Sequence, residues 1–437
     1  MNDPTDQDSP IDAEDRTDIP EPFARAGQAL DDAGIRWLRL RDRGGGTEDD
    51  LLILPADLAA ARAVLGGAGF HEVRHPGRGS HRAFFGYDEA TDGWPKLDVV
   101  TRLDFGRWQE WPTGLAEGVV ARRERGPDGP RPASDDAFWT LLLHELLDRP
   151  GVMPRRADRL RELAASALPD GPGSHVVAGL LPSGWSTDRV IATAAAGDPD
   201  ALRGLGRALA AGWTRRAPMA TRRRRLVARL RRRMDAADPP FIRRGLTVAL
   251  LGPDGAGKSS LSERLGAGGP LRVRRVYLGL YGGSRRTARG ASGARPAGRF
   301  RLPGLGTVRR VAAMWRGWLV GAVGVRRGRL VVFDRHPYDA RLADGGRGPR
   351  RIRRAILGHA LPAPDVVIVL DAPAELLFAR KPEHPVERIE DQRRRYLALA
   401  RDLPATAVVD VSGPLDEIAR RITAIVWGAL AAQGGGR

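Results

Sequence analysis

The rhythm of hydrophobic positions changes along the chain, and the changes divide it. From Glu21 to about Gly106 short helical and extended runs alternate. Leu58 to Leu65 predicts a helix, while Trp37 to Arg41, Leu51 to Leu54 and Leu97 to Thr101 predict strands. From Ser134 to Trp213 the period is helical throughout, with Ser134 placed as an N-cap and Phe138, Leu141, Leu142 and Leu146 forming an apolar stripe. Asp148-Arg-Pro-Gly151 breaks that pattern and Pro182-Ser-Gly184 closes a second stretch. From Gly245 onward the two periods alternate again. Extended apolar runs stand at Leu246 to Leu251, Val276 to Leu280, Leu330 to Phe333, Val366 to Leu370 and Ala407 to Val411. Helical segments separate them at Val308 to Val325, Glu375 to Arg380 and Ile389 to Arg401, and Leu415 to Leu430 follows. Five strands joined by long crossovers predict an α/β fold: a parallel five-stranded sheet with helices on both faces. The expected organisation is an acidic disordered tail (1–20), an α+β domain (21–133), a helical extension (134–213), an Arg-rich linker (214–244) and the α/β domain (245–437).

Composition narrows the chemistry. The 437 residues contain no cysteine, which excludes disulfides, thiolate metal sites and cysteine nucleophiles. The first 20 residues carry seven carboxylates against Arg16 and no apolar core, so no signal peptide is expected and a cytoplasmic, soluble protein is. The net charge of +18 suggests a polyanionic partner. Aromatic residues are only 6%, however, and no nucleic-acid-binding motif is visible, so no specific nucleic acid is expected. Almost all of the basic residues are arginine. Only Lys96, Lys258 and Lys381 are lysines, which makes each of them worth inspecting. Twelve arginines lie between Trp213 and Gly245, with Leu226, Val227, Leu230 and Met234 near one helical face. A solvated linker helix over Thr221 to Met234 is the expected form; weak contact with an anionic membrane surface is the other use of such a pattern. A homodimer stays open as a further partnership.

The strongest signal is Gly252-Pro-Asp254-Gly255-Ala256-Gly257-Lys258-Ser259, followed by Ser260. It fits the phosphate-binding loop G-x-x-x-x-G-K-[ST], and it lies between a predicted strand and a predicted helix. The glycines let backbone N–H groups turn inward around an anion, and the helix start adds its dipole. Lys258 would reach the outer phosphates of ATP, and the Ser259 hydroxyl would ligate Mg2+.

This loop, with Ser260 after it, resembles that of the thymidylate kinase family, and other segments agree in order. Gly328-Arg-Leu-Val-Val-Phe-Asp334-Arg335-His336 looks like that family's strand ending in Asp-Arg-Tyr/His. Pro364 to Pro373, with Asp371, is similar to its next strand, and Glu375 to Arg380 to the helix after it. Glu387-Arg388-Ile-Glu390, then Tyr396, resembles its lid and following helix. The resemblance spans roughly Leu246 to Leu430. It implies that Asp334 holds magnesium-bound water or orients the acceptor, that Arg335 clamps an acceptor phosphate, and that Arg380 and Arg388 close over the transferring group. It also departs from the family. Tyr277-Leu-Gly-Leu-Tyr-Gly-Gly stands in place of an Arg-Glu-Pro segment that grips the acceptor nucleotide. Val311-Ala-Ala-Met-Trp-Arg316 stands in place of an Ala-Asp-Arg helix. The Gly282 to Gly298 loop is expected to order over substrate. ATP chemistry therefore carries over better than thymidylate specificity, and the acceptor is a nucleotide or another small molecule.

In the first half, Gly44-Gly-Gly-Thr-Glu48-Asp49-Asp50-Leu-Leu-Ile, then Lys96-Leu-Asp98-Val-Val, resembles small nucleotidyltransferase domains, with the helices from Ser134 similar to the region that follows them. Glu48 and Asp50 alternate on one strand face and Asp98 is the third carboxylate, a set that could hold two magnesium ions. The leading expectation is an ATP-dependent kinase with an N-terminal nucleotidyltransferase-like domain. The alternatives are a non-catalytic nucleotide-binding regulatory protein, or a nucleotidyltransferase regulated by its P-loop domain.

Overall fold

A computed structural model describes residues 21–41, 47–73, 79–150, 156–236, 245–266, 268–278, 305–334, 336–342, 352 and 356–435. The tail 1–20, Gly44 to Gly46, the Gly282 to Gly298 loop and Arg335 lie outside the described residues.

The first sheet is built from β1 (Trp37–Arg39), β2 (Glu48–Ile53), β3 (His71–Val73), β4 (His81–Phe85) and β5 (Lys96–Val100), in the order β1-β2-β5-β4-β3. β2 and β5 run parallel; the other pairs are antiparallel. Alternation along β2 sends Leu51 and Ile53 to one face, against α1 (Glu21–Asp32) and α2 (Leu58–Gly67). Leu52 goes to the other face, where Val100, Trp111 and Phe138 meet it. That second face is covered from the helical region: α3 (Ala116–Ala121), α4 (Ser134–Leu147), α5 (Ala157–Ala164), α6 (Pro172–Ala178), α7 (Thr187–Ala196) and α8 (Pro199–Arg216). Two small antiparallel pairs precede α4: β6 (Asp104–Phe105) with β7 (Trp111–Pro112), and β8 (Glu124–Gly126) with β9 (Gly129–Arg131).

Boundaries differ from the sequence expectation at several places: the strand expected over Val276 to Leu280 covers Val273–Tyr277 instead, and three differences lie nearer the N-terminus. β2 starts at Glu48 rather than Leu51, because ladder pairing with β5 (Glu48↔Lys96, Asp50↔Asp98) carries an acidic run of low strand propensity into the sheet. Ser134 is not the N-cap of α4. Extended Ala133 holds that position with no side-chain cap, and Ser134 is already helical. The helix expected over Thr221 to Met234 is present but longer: α8 runs past Trp213 to Arg216, and α9 (Pro218–Ala236) follows after one residue.

The second sheet is wholly parallel, in the order β11-β12-β10-β13-β14. Its strands are β10 (Leu246–Leu251), β11 (Val273–Tyr277), β12 (Leu330–Asp334), β13 (Val366–Asp371) and β14 (Thr406–Asp410). One face packs on α10 (Lys258–Arg264), α12 (Ala374–Arg380) and α14 (Leu415–Gly435); the other packs on α11 (Leu305–Arg326) and α13 (Val386–Asp402). Near-continuous apolar strands such as Leu246–Leu251 are what burial on both faces demands.

The halves are joined by aromatic packing. The Trp427 Nε1–H of α14 donates to the Phe85 carbonyl at 3.1 Å, and the Trp94 ring lies edge-on to Trp427 with centroids 4.8 Å apart. Val73, at the end of β3, belongs to the same buried cluster as Ile422 and Val426 of α14.

Candidate active site

β10 is the central strand of the parallel sheet, and its C-terminal end delivers the chain into the Gly252–Gly257 loop. Chain order reverses here. The connection from β10 leads to the edge strand β11, whereas that from β12 crosses to β13, so the crevice opens at the carboxyl ends of β10 and β12. Gly252, Gly255 and Gly257 hold φ of +148°, +88° and +80°. A Cβ at Gly252 would stand 2.7 Å from the Leu370 carbonyl oxygen, and one at Gly255 would stand 2.6 Å from that of Leu377. The loop is thus pressed against the end of β13 and against α12, and only glycine permits both the turn and the approach. Ala256 is buried beneath it. Asp254 sits with Gly255 at the turn of the loop, and Ser259 and Ser260 are exposed on the first turn of α10. The Lys258 ammonium folds back over the loop and donates to the carbonyls of Gly252 (2.6 Å) and Pro253 (2.7 Å). A cation held over a bend of backbone, beside two exposed hydroxyls, fits the triphosphate and Mg2+ that the motif implies.

Asp334 closes β12 opposite Leu250 in the ladder, at the carboxyl end of the strand where the crevice opens. Two residues later His336 is buried, with Nδ1 accepting from the Tyr338 amide at 3.4 Å. Burial, helped by the nearby Arg341 cation, pushes this imidazole down to about 3, so it is neutral. Among the arginines expected at the site, Arg380 is engaged on the Val411 carbonyl at 2.8 Å, and Arg388 is exposed on the first turn of α13. Sequence reasoning missed Arg393. Its guanidinium pairs bidentately with Asp371 (2.7 and 3.0 Å), tying α13 to the end of β13. Tyr396, one turn on, donates to Asp339 at 3.0 Å, which fastens the same helix to the segment after β12. No spacing in the sequence announces either pair, because the partners stand 22 and 57 positions apart.

A second cluster lies on the first sheet. Glu48, Asp50 and Asp98 converge, with one oxygen of each within 4.8 Å of the others. They share the sheet face of Leu52 and Val100, whereas Asp49 points to the opposite face and pairs there with buried Arg39 at 2.8 Å. Basic side chains surround the three carboxylates. Lys96 bonds Glu48 and lies 3.9 Å from Asp98, Arg41 lies 3.1 Å from Asp50, and His81 Nδ1 is 3.2 Å from Asp98. Lys96 and Lys258, two of the three lysines in the chain, therefore stand in the two candidate centres. Their rarity was the one sequence signal that pointed to Lys96.

No family model matches the chain. It is similar to the thymidylate kinase of Xanthomonas euvesicatoria pv. vesicatoria (strain 85-10), 29% identical over 199 residues that cover 43% of this chain and 85% of that protein. It is likewise similar to the thymidylate kinase of Xanthomonas oryzae pv. oryzae (strain PXO99A), 28% identical over 198 residues with the same two shares. A solved thymidylate kinase from Candida albicans is 18% identical and covers 41% of this chain and 89% of that one, with a TM-score of 0.30, too low to bear on the geometry. The chain thus contains a thymidylate-kinase-like region, and the share it occupies corresponds in size to the phosphate-loop half.

Proposed function

We propose that the C-terminal half is an ATP-dependent kinase, transferring a phosphoryl group to a nucleotide or another small molecule. The observation that carries this is a complete phosphate loop on the central parallel strand with Asp334 beside it, in a region similar to thymidylate kinases. Mg-ATP would supply the phosphoryl group and the metal's charge. Lys258 would exchange the Gly252 and Pro253 carbonyls for phosphate oxygens, and Ser259 would offer its hydroxyl to the metal. The amides of Gly255 and Gly257 would hold the anion, and that of Ala256 would leave the Pro253 carbonyl, to which it donates at 3.3 Å, to join them. Asp334 would orient the acceptor, with Arg335 as its clamp, and Arg388 would meet developing charge from α13. Thymidylate is a poor acceptor in this reading, because Tyr277-Leu-Gly-Leu replaces the segment expected to grip it. The test is a mass-spectrometric screen of nucleoside monophosphates, sugars and phosphosugars for a gain of roughly 80 Da, one phosphoryl group. Lys258→Ala should abolish transfer, and Asp334→Asn should leave ATP binding largely intact while turnover falls by orders of magnitude. Full ATP affinity and turnover in Lys258→Ala would sink the assignment.

A second centre is favoured by the convergence of Glu48, Asp50 and Asp98. Three carboxylates this close repel, a repulsion that Lys96 and Arg41 offset in the structure, and the reading is that a divalent metal takes the same oxygens in a site of nucleotidyltransferase type. Lys96 supplies the neutralising charge that a metal would displace. Magnesium or manganese should raise the melting temperature of the full chain, and Asp50→Asn with Asp98→Asn should remove that increment without touching the kinase reaction. A wild-type melting curve indifferent to millimolar metal would leave this half without metal chemistry.

A further inference from the structure

The helix α9 is built the wrong way round for one packed on a soluble protein. An amphipathic surface helix normally turns its apolar stripe inward and its charges out. In α9 the inward positions are Thr221, Arg225, Ala228 and Arg232, spaced four, three and four residues apart, the first of them buried and the others half-buried. Arg225 pairs with Glu110 at 2.9 Å. The Arg232 guanidinium lies over the Trp108 ring, 4.2 Å from its centroid, and Arg229 lies 5.4 Å from the same ring. Arg224 reaches the Glu110 carbonyl at 3.3 Å. Charge and cation–π contacts, rather than leucines, hold this helix to the β6–β7 region. The apolar side chains are left on the far side. Met219, Leu226 and Leu230, seven and four residues apart, form one outward stripe with exposures of 75%, 57% and 47%, and Val227 sits exposed on its shoulder. Arg222, Arg223, Arg231 and Arg233 are exposed beside it.

We propose that α9 docks the protein on an anionic lipid surface, lying in the plane of the interface with Met219, Leu226 and Leu230 among the acyl chains and the flanking arginines at the headgroup phosphates. Charge complementarity selects this occupant. The helix carries eight arginines against Asp235 alone. Its stripe is apolar without aromatic rings, so a nucleic acid would satisfy the arginines but find nothing on which to stack a base. An anionic bilayer takes both features at once. Among the described residues no helix is long and apolar enough to cross a membrane, so the contact is peripheral. The arginine stems can lie along the apolar ridge while their guanidinium groups stay at the phosphates.

Cosedimentation of the full chain with vesicles tests this, using phosphatidylcholine alone and phosphatidylcholine with about 30% phosphatidylglycerol, at about 0.1 M and about 0.5 M salt. The full chain should pellet with the anionic vesicles at the lower salt and mostly leave them at the higher. Leu226→Gln with Leu230→Gln should weaken partitioning by roughly tenfold or more, and so should Arg222→Gln with Arg233→Gln, because insertion and charge act together. These side chains are exposed, so far-UV circular dichroism should be unchanged. Three results would overturn the proposal: no pelleting with anionic vesicles, a leucine pair whose loss leaves partitioning unaltered, or displacement of the bound protein by an equal phosphate concentration of duplex or single-stranded nucleic acid.

Discussion

A methyl group added at Gly255 would press 2.6 Å from the Leu377 carbonyl oxygen at a backbone φ of +88°, so alanine is opposed by both space and torsion. Gly255→Ala should destabilise the protein by about 1–3 kcal/mol and weaken ATP binding at least tenfold. Gly268, at φ +74° with nothing within 4 Å, isolates the torsional part, and Gly268→Ala should cost only about 1 kcal/mol and leave ATP binding alone. Urea titrations and ATP binding isotherms of the two variants make the comparison. His336 gives a pH signature. Its folded value lies near 3, against 6.5 when unperturbed. Between those limits the unfolded chain holds the extra proton, so stability is full above about pH 6.5 and declines as pH falls toward 3, by at most about 1.4 kcal/mol per unit. His336→Asn, which can still accept from the Tyr338 amide, should flatten that limb. A slope between pH 6.5 and 4.5 that is identical in both proteins would clear His336 of the role. The glycines and the two lysines were legible in the sequence because their chemistry is local. His336 and Arg393 were not, since burial and a distant partner define them.

Among the elements, those with a strong apolar period were read to within a few residues, as β10, β13 and α11 show. β2 was read short because its first half is Glu48-Asp49-Asp50, which no strand propensity favours. What holds it in the sheet is tertiary: the ladder to β5, and Arg39, whose Nε–H is shared between the two Asp49 carboxylate oxygens at 3.0 and 2.8 Å where both side chains are buried. Arg39→Met would leave the Asp49 carboxylate buried without its partner, a loss of about 3–5 kcal/mol by urea denaturation. Replacing both, as Arg39→Met with Asp49→Leu, should recover most of it. If the single and double variants were equally unstable, the pair would not be what fixes β2. The consequence reaches the second centre, because the same strand start places Glu48 and Asp50 beside Asp98. The parallel sheet and the loop between strand and helix were legible. The inverted polarity of α9 was not, since a sequence shows that a stripe exists but not which way it faces.

At the scale of the whole molecule, the alternating runs announced two sheets but not how they meet. Trp427 of α14 lies between Trp94 and the edge of β4, and Trp94 in turn lies where a Cβ on Gly269 would stand 2.8 Å from its ring. Trp427→Ala should cost about 3–5 kcal/mol and turn one cooperative melting transition into two, seen by calorimetry of the full chain. A single transition at nearly the wild-type temperature would mean that the halves stand independently. The packing of α14 has a practical corollary for anyone dividing the gene between α9 and β10. The upstream product would carry Phe85, Tyr87 and Trp94 bare to water, and the downstream product would carry Trp427 and the apolar side of a long terminal helix. Each piece would expose a sticky aromatic patch that the intact chain hides, so aggregation of either half on its own would report on the cut rather than on the protein.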